Sequence, residues 1–376
     1  MSSLLYKCAH VLQALLVCGF VSMLFAGQAD STENIDTSGI GLDGPYIFYS
    51  DDRIISKQVV SIGGQFIAQT DTFAAGDNPM FKCNLPGSNG FQFTLAKSIP
   101  FQESVYPMPE KIIAISDIEG NIVPFREFLI NNGVIDNANK WIFGKGHLVI
   151  PGDVFDRGLN VTECLWFIYY LEQDAEKIGG KVHFILGNHE IMNMNGNIKY
   201  VRKKYTDNAN LLGADYNHLY TPATELGRWL ESKNIVEKIG DYLFLHGGIS
   251  KEVNEQNAAI ESINSTAREY YFRSKDAKLY GDTLVKLLYN SKLCPFWYRG
   301  YVDETILETD LDNTLNAFAV NKIVVGHTIV ADVRYFYNKK VIGIDTDHAE
   351  GDTEGLLIEN GVEYRIERSG SRTPVN

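Results

Sequence analysis

With 376 residues the chain is long enough for one large or two modest domains, each with a full apolar core. Its composition, 45% hydrophobic and 22% charged, is that of a folded globular protein and excludes a largely disordered one. A net charge of −13 argues against nucleic acid as a partner, because phosphate backbones are bound by basic surfaces; a small phosphorylated ligand stays compatible, since metals and one or two arginines can meet its charge locally.

Lys7 and His10 precede an apolar run over residues 11–26, and Gly27-Gln28-Ala29 then offers small residues before Asp30. This is the layout of a secretory signal peptide, expected over residues 1–29 and removed on export to the periplasm or outside a bacterial cell. The alternative is an uncleaved membrane anchor, although the run is shorter than the roughly 20 residues a spanning helix needs. Cys18 follows Leu-Leu-Val rather than small residues, which disfavours a lipoprotein leader. Beyond the leader only Cys83, Cys164 and Cys294 remain, too few and too far apart for a disulfide framework or a Cys-x-x-Cys zinc site. Cys164 sits in the apolar helical run Cys164-Leu165-Trp166-Phe167-Ile168 and reads as a core residue.

Residues 30–44 are small and polar and read as a linker. From residue 45 to about 110 the pattern is of short β-type runs broken by turns. Tyr46-Ile47-Phe48-Tyr49, Ser50-Asp51-Asp52 and Ile54-Ile55 suggest a hairpin, and Gln65-Phe66-Ile67-Ala68 and Phe91-Gln92-Phe93-Thr94-Leu95 alternate similarly. No catalytic constellation lies here, so the stretch is expected to be a small β-rich extension packed on the main domain.

From Lys111 the rhythm becomes α/β, over residues 111–365, with 366–376 left as a flexible tail. Ile112-Ile113-Ala114-Ile115 is a compact strand followed by Asp117 and Glu119. Leu148-Val149-Ile150 is a second, stopped by Pro151-Gly152 and followed by Asp153, Asp156 and Arg157. Val182-His183-Phe184-Ile185-Leu186 ends in Gly187-Asn188-His189-Glu190, Tyr242-Leu243-Phe244-Leu245 in His246-Gly247-Gly248, and Ile323-Val324-Val325 in Gly326-His327-Thr328. Helical sequence covers roughly 162–177 and fills 252–290. Two last strands, Val341-Ile342-Gly343-Ile344 and Leu356-Leu357-Ile358-Glu359, flank an acidic loop.

One polar loop at a strand end is commonplace, but five in succession, each with ligand-type side chains, are hard to attribute to the fold alone. If the strands are neighbours, these residues meet at one rim. Carboxylates, imidazoles and an amide oxygen suit Mn²⁺, Fe or Zn²⁺, and the lack of thiolates argues against a closed structural zinc site. The donors exceed what one ion needs. A carboxylate such as Asp153 can bridge two, and paired metals typically sit about 3.5–4 Å apart.

The motifs Gly-Asp-x-x-Asp-Arg-Gly at 152–158, Gly-Asn-His-Glu at 187–190 and His-Gly-Gly at 246–248 resemble those of the calcineurin-like metallophosphoesterases, in their phosphoprotein-phosphatase form. Gly187-Asn188-His189-Glu190-Ile191-Met192-Asn193-Met194, with Tyr200-Val201 after it, looks most like the bacterial branch called Shewanella-like protein phosphatases. The resemblance spans about 111–360 and implies a layered α-β-β-α sandwich. It also implies roles. Asp117 would bind a first metal, Asp153 would bridge, and Asn188, His246 and His327 would bind a second. His189 would be the general acid, with Asp156 holding its other ring N–H, while Arg157 and Arg299 would grip phosphate. The reaction implied is direct in-line attack on a phosphomonoester by hydroxide held between two divalent ions, without a phosphoenzyme.

The first motif departs from the family's Asp-x-His-Gly, reading Asp117-Ile118-Glu119-Gly120. Glu119 can still coordinate, and a more oxygen-rich site favours Mn²⁺ or Mg²⁺ over Zn²⁺ or Fe. Alternatively His348 supplies the imidazole, though a loop histidine is ordinarily a surface residue. The last motif ends in Thr328 where a second histidine is common, and Thr328 reads as structural. His147 and His183 lie at or within strands and read as satisfied edge or core histidines. His218 sits among tyrosines with nothing in its spacing to mark a site. Asn160-Val161-Thr162 matches a glycan acceptor, but a sugar so close to Arg157 would obstruct the site, which fits bacterial export. The leading expectation is therefore a phosphatase acting on phosphoprotein, phosphopeptide or small phosphomonoester. A nucleotide or dinucleoside polyphosphate hydrolase and a catalytically silent phosphate-binding protein are the rivals. A pure binder has no need of a general acid, which weighs against the last.

Overall fold

The computed structural model describes residues 39–351 and 353–376. The leader expected at 1–29 and most of the linker at 30–44 lie outside the described residues. Two six-stranded sheets form the centre. The first runs Arg372–Pro374, Val362–Glu367, Glu354–Glu359, Lys111–Ala114, His147–Pro151 and Lys181–Ile185, the last three parallel to one another. The second runs Arg334–Phe336, Val341–Gly343, Lys322–Val325, Tyr242–Leu245, Val236–Ile239 and Val105–Tyr106. Within it Tyr242–Leu245, Lys322–Val325 and Val341–Gly343 are parallel.

Parallel strands covered on both faces must be apolar on both, which is why these segments read as unbroken aliphatic runs rather than alternating ones. Ile112, Ala114, Val149 and Ile185 of the first sheet meet Phe244, Val324 and Ile342 of the second in one dry layer. The intervening residues Ile113, Leu148 and Ile150 turn outward to Phe125, Phe128, Leu165 and Ile168, carried by the helices Ile122–Asn131 and Val161–Glu176. Leu243 and Val325 face outward in the same way, in a cluster that includes Ile263, Leu311 and Leu315 of the helices Ile260–Arg268 and Glu308–Phe318. The result is helices outside two facing sheets.

The N-terminal part is β-rich. Asp43–Ser50, Arg53–Ile62 and Gln65–Ala74 form a three-stranded antiparallel sheet, and Phe81–Cys83 pairs with Phe91–Phe93. It covers the outer side of the helix Val161–Glu176: Phe93 stacks on Trp166 at 4.4 Å, and the Trp166 indole N–H donates to the Pro45 carbonyl at 2.8 Å. A helix covered all round can be apolar all round, which accounts for the run from Cys164 to Leu171. Cys83, Cys164 and Cys294 are free, buried thiols.

Two boundaries differ from the sequence reading. Val105–Tyr106 joins the second sheet beside Val236–Ile239, so the extension runs into the main sandwich before residue 110. The final residues are not a tail: Arg372–Pro374 pairs with Val362–Glu367 as an edge strand. Arg-Thr-Pro has no strand signature, and its proline is tolerated because an edge strand needs donors on one side only. His183 is buried with Nδ1 2.6 Å from Glu237 and Nε2 2.9 Å from His147, so both histidines are partnered within the core. Among the described residues no helix is long and apolar enough to cross a membrane.

Candidate metal centre and active site

The loops leaving Lys111–Ala114, His147–Pro151, Lys181–Ile185, Tyr242–Leu245, Lys322–Val325 and Val341–Gly343 converge on one pocket of about 240 Å³. Asp117, Glu119, Asp153, Arg157, Asn188, His189, Arg299 and His327 line it. Asp156 and His246 stand directly behind, bonded to His189 and Asn188. The backbone is bent hard to achieve this. Asp117, Glu119, Asp153, Asp156, Arg157 and His327 all have positive φ, between 48° and 69°. Non-glycine residues rarely adopt that conformation, at a cost of about 1–3 kcal/mol each, and such strain gathers at functional sites. The turns also touch: a Cβ on Gly187 would lie 2.3 Å from an Asp153 carboxylate oxygen.

Asp153, His246 and His327 bring one ligand atom each within 4.8 Å of one another, as do Glu119, Asp153 and His189, so Asp153 belongs to both groups. His246 Nδ1 donates to the Pro151 carbonyl at 2.7 Å, which turns Nε2 toward Asp153 and the Asn188 amide oxygen, each at 3.0 Å. His327 Nε2 is buried with no hydrogen-bond partner, and burial together with neighbouring His246 pushes the ring's pKa down, so it stays a neutral donor of its lone pair.

On the other side stand Asp117, Glu119 and Asp345, all buried. Burial raises the pKa of Glu119 to about 8 despite Arg157, whose guanidinium is 2.5 Å from its carboxylate. Burial and then Asp117 push Asp345 well above the ordinary carboxylate range. Asp117 is raised as well, chiefly by burial, although Ser116 Oγ and the His327 N–H both donate to it. Oxygen and imidazole donors, an orphaned buried ring nitrogen and acids held above their normal range form a set that fits divalent cations.

His189 carries the proton chemistry. Its Nδ1 is 2.6 Å from Asp156, its backbone N–H donates to Asp153 at 3.0 Å, and its Nε2 faces the pocket 3.8 Å from Asp153. Burial alone would lower its pKa, but Asp153 and then Asp156 outweigh it and raise it to about 9. Asp156 is held in turn: Asn193 Nδ2 donates to it at 3.0 Å, and Tyr216 O–H donates to the Asn193 oxygen at 2.7 Å.

Residues 110–331 match the calcineurin-like phosphoesterase family. This chain is a member of that family. Shewanella-like protein phosphatase 2 of Arabidopsis thaliana is 27% identical over 298 residues, covering 67% of this chain and 74% of the relative. Shewanella-like protein phosphatase 1 of Plasmodium berghei is 28% identical over 237 residues, covering 58% and 61%. The solved structure of a cold-active protein-tyrosine phosphatase from a psychrophilic Shewanella superposes with a TM-score of 0.81 at 35% identity, covering 89% of this chain and 100% of that one. The chain is thus a phosphoester hydrolase of the metallophosphoesterase type, and the family implies divalent metal ions.

Several residues of this phosphoesterase's site carried no role in the sequence reading, and for Thr328 and His348, read there as structural and as an alternative metal ligand, the structure gives the surroundings. Asp345 follows a three-residue strand in a loop with other acids, and nothing local distinguishes it. Glu190 is fully buried and accepts from the N–H groups of Gly187, Asp153, Val154 and Phe155 at 2.7–3.2 Å, which fixes the Asp153 loop. Thr328 is structural in a specific way: its hydroxyl and the His327 carbonyl accept from Arg299 at 3.1 and 2.7 Å. Tyr200, whose ring lies 5.1 Å from that of His189, and Trp297 form aromatic walls of the pocket. His348 is buried rather than superficial; it lines the pocket, with Nδ1 unpartnered and Nε2 3.4 Å from the Asn121 carbonyl. His218 is exposed and lies off the pocket.

Proposed function

We propose that the chain hydrolyses phosphomonoesters on proteins or peptides, with aryl phosphates such as phosphotyrosine as the preferred group. The observation that carries this is the His189–Asp156 pair at 2.6 Å, set against the acidic cluster in a pocket rimmed by Arg157 and Arg299. The name of the Shewanella neighbour and the aromatic walls Tyr200 and Trp297 support the tyrosyl preference.

Asp153, Asn188, His246 and His327 would hold one cation, and Asp117, Glu119 and Asp153 the other, with Asp153 shared. Bound there, divalent cations supply Lewis acidity and lower the pKa of a coordinated water. Arg157 and Arg299 receive the phosphate oxygens as planar cations. His189 Nε2 delivers its proton to the departing alkoxide or phenolate oxygen, while Asp156 accepts the Nδ1–H and keeps the ring protonated until then. Mn²⁺ is the metal favoured, because Asp117, Glu119 and Asp153 make the first position rich in carboxylate oxygens. Export before action fits the leader-like residues 1–29.

The test is hydrolysis of an aryl phosphate with and without added Mn²⁺, followed by phosphotyrosine and phosphoserine peptides. His189→Ala is expected to lower kcat by about 10²–10⁴-fold. Turnover indifferent to chelation, or activity confined to diesters and dinucleotides, would sink the reading.

A further inference from the structure

Gln65–Ala74 is the last strand of the N-terminal three-stranded sheet, and all its ladder partners lie on Arg53–Ile62. Among the described residues no strand pairs with its other side. Natural sheet edges are protected by charges, proline, a bulge or a covering element. Here the ten residues contain one charge, Asp71, and no proline, and the register runs unbroken from Arg53↔Ala74 to Ile62↔Gln65. Phe66 and Ile67 are 42% and 39% exposed. In a chain of net charge −13, an edge of ten residues with unbroken register and one charge opposes a second copy of itself less than an acidic surface does.

We propose that this edge pairs antiparallel with the same edge of a second copy, across a two-fold axis at Thr70, making one continuous six-stranded sheet. An isologous contact of this kind uses the same patch twice. A two-fold axis perpendicular to the sheet keeps each side chain on its own face, so residues opposite one another must share parity along the strand. Centring on Asp71 sets two carboxylates face to face, and centring on Gln69 sets Asp71 against Ile67. Centring on Thr70 avoids both: Gln69 meets Asp71 of the second copy, and Ile67 meets Phe73. These four share one face. Gln69 Nε2 already donates to Asp71 at 2.9 Å within the chain, so the amide and carboxylate are matched in kind, and a second copy offers the same match across the axis. Phe73 packs edge-on against Phe81 at 5.7 Å, so Ile67 of the second copy extends an existing apolar cluster. Thr70 opposite Thr70, and Thr72 opposite Ala68, complete the pairing with residues that suit strands or tolerate them.

Sedimentation velocity of the purified chain across a concentration series is expected to show a monomer–dimer equilibrium. Under mild oxidation Thr70→Cys, at the axis, is expected to link two copies covalently, whereas Thr72→Cys is not; the parent protein, oxidised alongside, sets the background. Gln69→Asp places like charges opposite one another at two symmetric positions and is expected to weaken the dimer about fivefold, while Gln69→Lys tightens it. Hydrolysis of an aryl phosphate by each variant reports that the fold is intact. A monomer at every concentration, or equal linking by Thr70→Cys and Thr72→Cys, overturns the proposal.

Discussion

Glu119 is the residue at which this chain parts from the imidazole of the family's first motif, and its surroundings show what the change does. It lies buried beside Asp117, Asp153 and Asp345, with Arg157 as its ion-pair partner at 2.5 Å. A position rich in carboxylates prefers hard cations, whereas an added imidazole admits softer ones. Glu119→His is therefore expected to raise the zinc-to-manganese ratio of protein loaded from an equimolar mixture, read by elemental analysis; an unchanged ratio removes Glu119 from metal selection. Residue types were legible in the sequence because ligand chemistry restricts them to few. Asp345 was not, since a carboxylate in an acidic loop has no signature until the loop is placed against Asp117. Nor was the positive φ at six site residues, because aspartate, glutamate, arginine and histidine give no warning of it.

Among the elements, the short helix Asn188–Met194 does more than present His189. Its Glu190 gathers four backbone N–H groups from two loops and so locks the turn that carries Asp153. Glu190→Gln replaces one accepting oxygen by an N–H₂, leaving either the Gly187 and Asp153 or the Val154 and Phe155 N–H groups facing a donor. The expected loss is about 2–5 kcal/mol of unfolding free energy, measured by denaturant titration, together with weaker metal retention. A loss below about 1 kcal/mol would mean that the turn holds itself. The elements legible beforehand were those with long apolar runs, such as the strands that lead into Asp117, Asp153 and Asn188. Arg334–Phe336 and Arg372–Pro374 escaped notice because three residues at a sheet edge carry no period.

At the scale of the whole molecule, the N-terminal sheet and the sandwich enclose the helix Val161–Glu176, and Glu163 is trapped between them. It is 5% exposed, and one of its oxygens has no hydrogen-bond partner. Burial raises its pKa from 4.5 to about 7, with Lys204 opposing. The folded state therefore holds this proton more tightly than the unfolded chain. Its contribution to stability is complete below pH 4.5 and is lost as pH rises through about 7. Glu163→Gln is expected to be more stable than the parent at pH 8, by as much as about 3 kcal/mol, and no more stable at pH 4.5. Equal stabilisation at both pH values would show that the proton is not the cause. The β character of the extension was readable from its alternating aromatics. Its docking on Trp166 was not, because that contact joins segments more than seventy residues apart.

The ion pair between Arg157 and Glu119 bears on the order of events at the mouth of the site. Burial holds Glu119, Asp117 and Asp345 above the ordinary carboxylate range, and the Arg157 guanidinium is already engaged by Glu119 rather than free to meet an arriving oxyanion. A divalent cation held by Glu119 would compete with Arg157 for that carboxylate and so free the guanidinium. Metal ahead of phosphate is the order this pair would favour, and calorimetric titration of chelator-treated protein with inorganic phosphate is expected to show weaker binding than the same titration with Mn²⁺ added; equal binding in both would show that the pair does not hold Arg157 back.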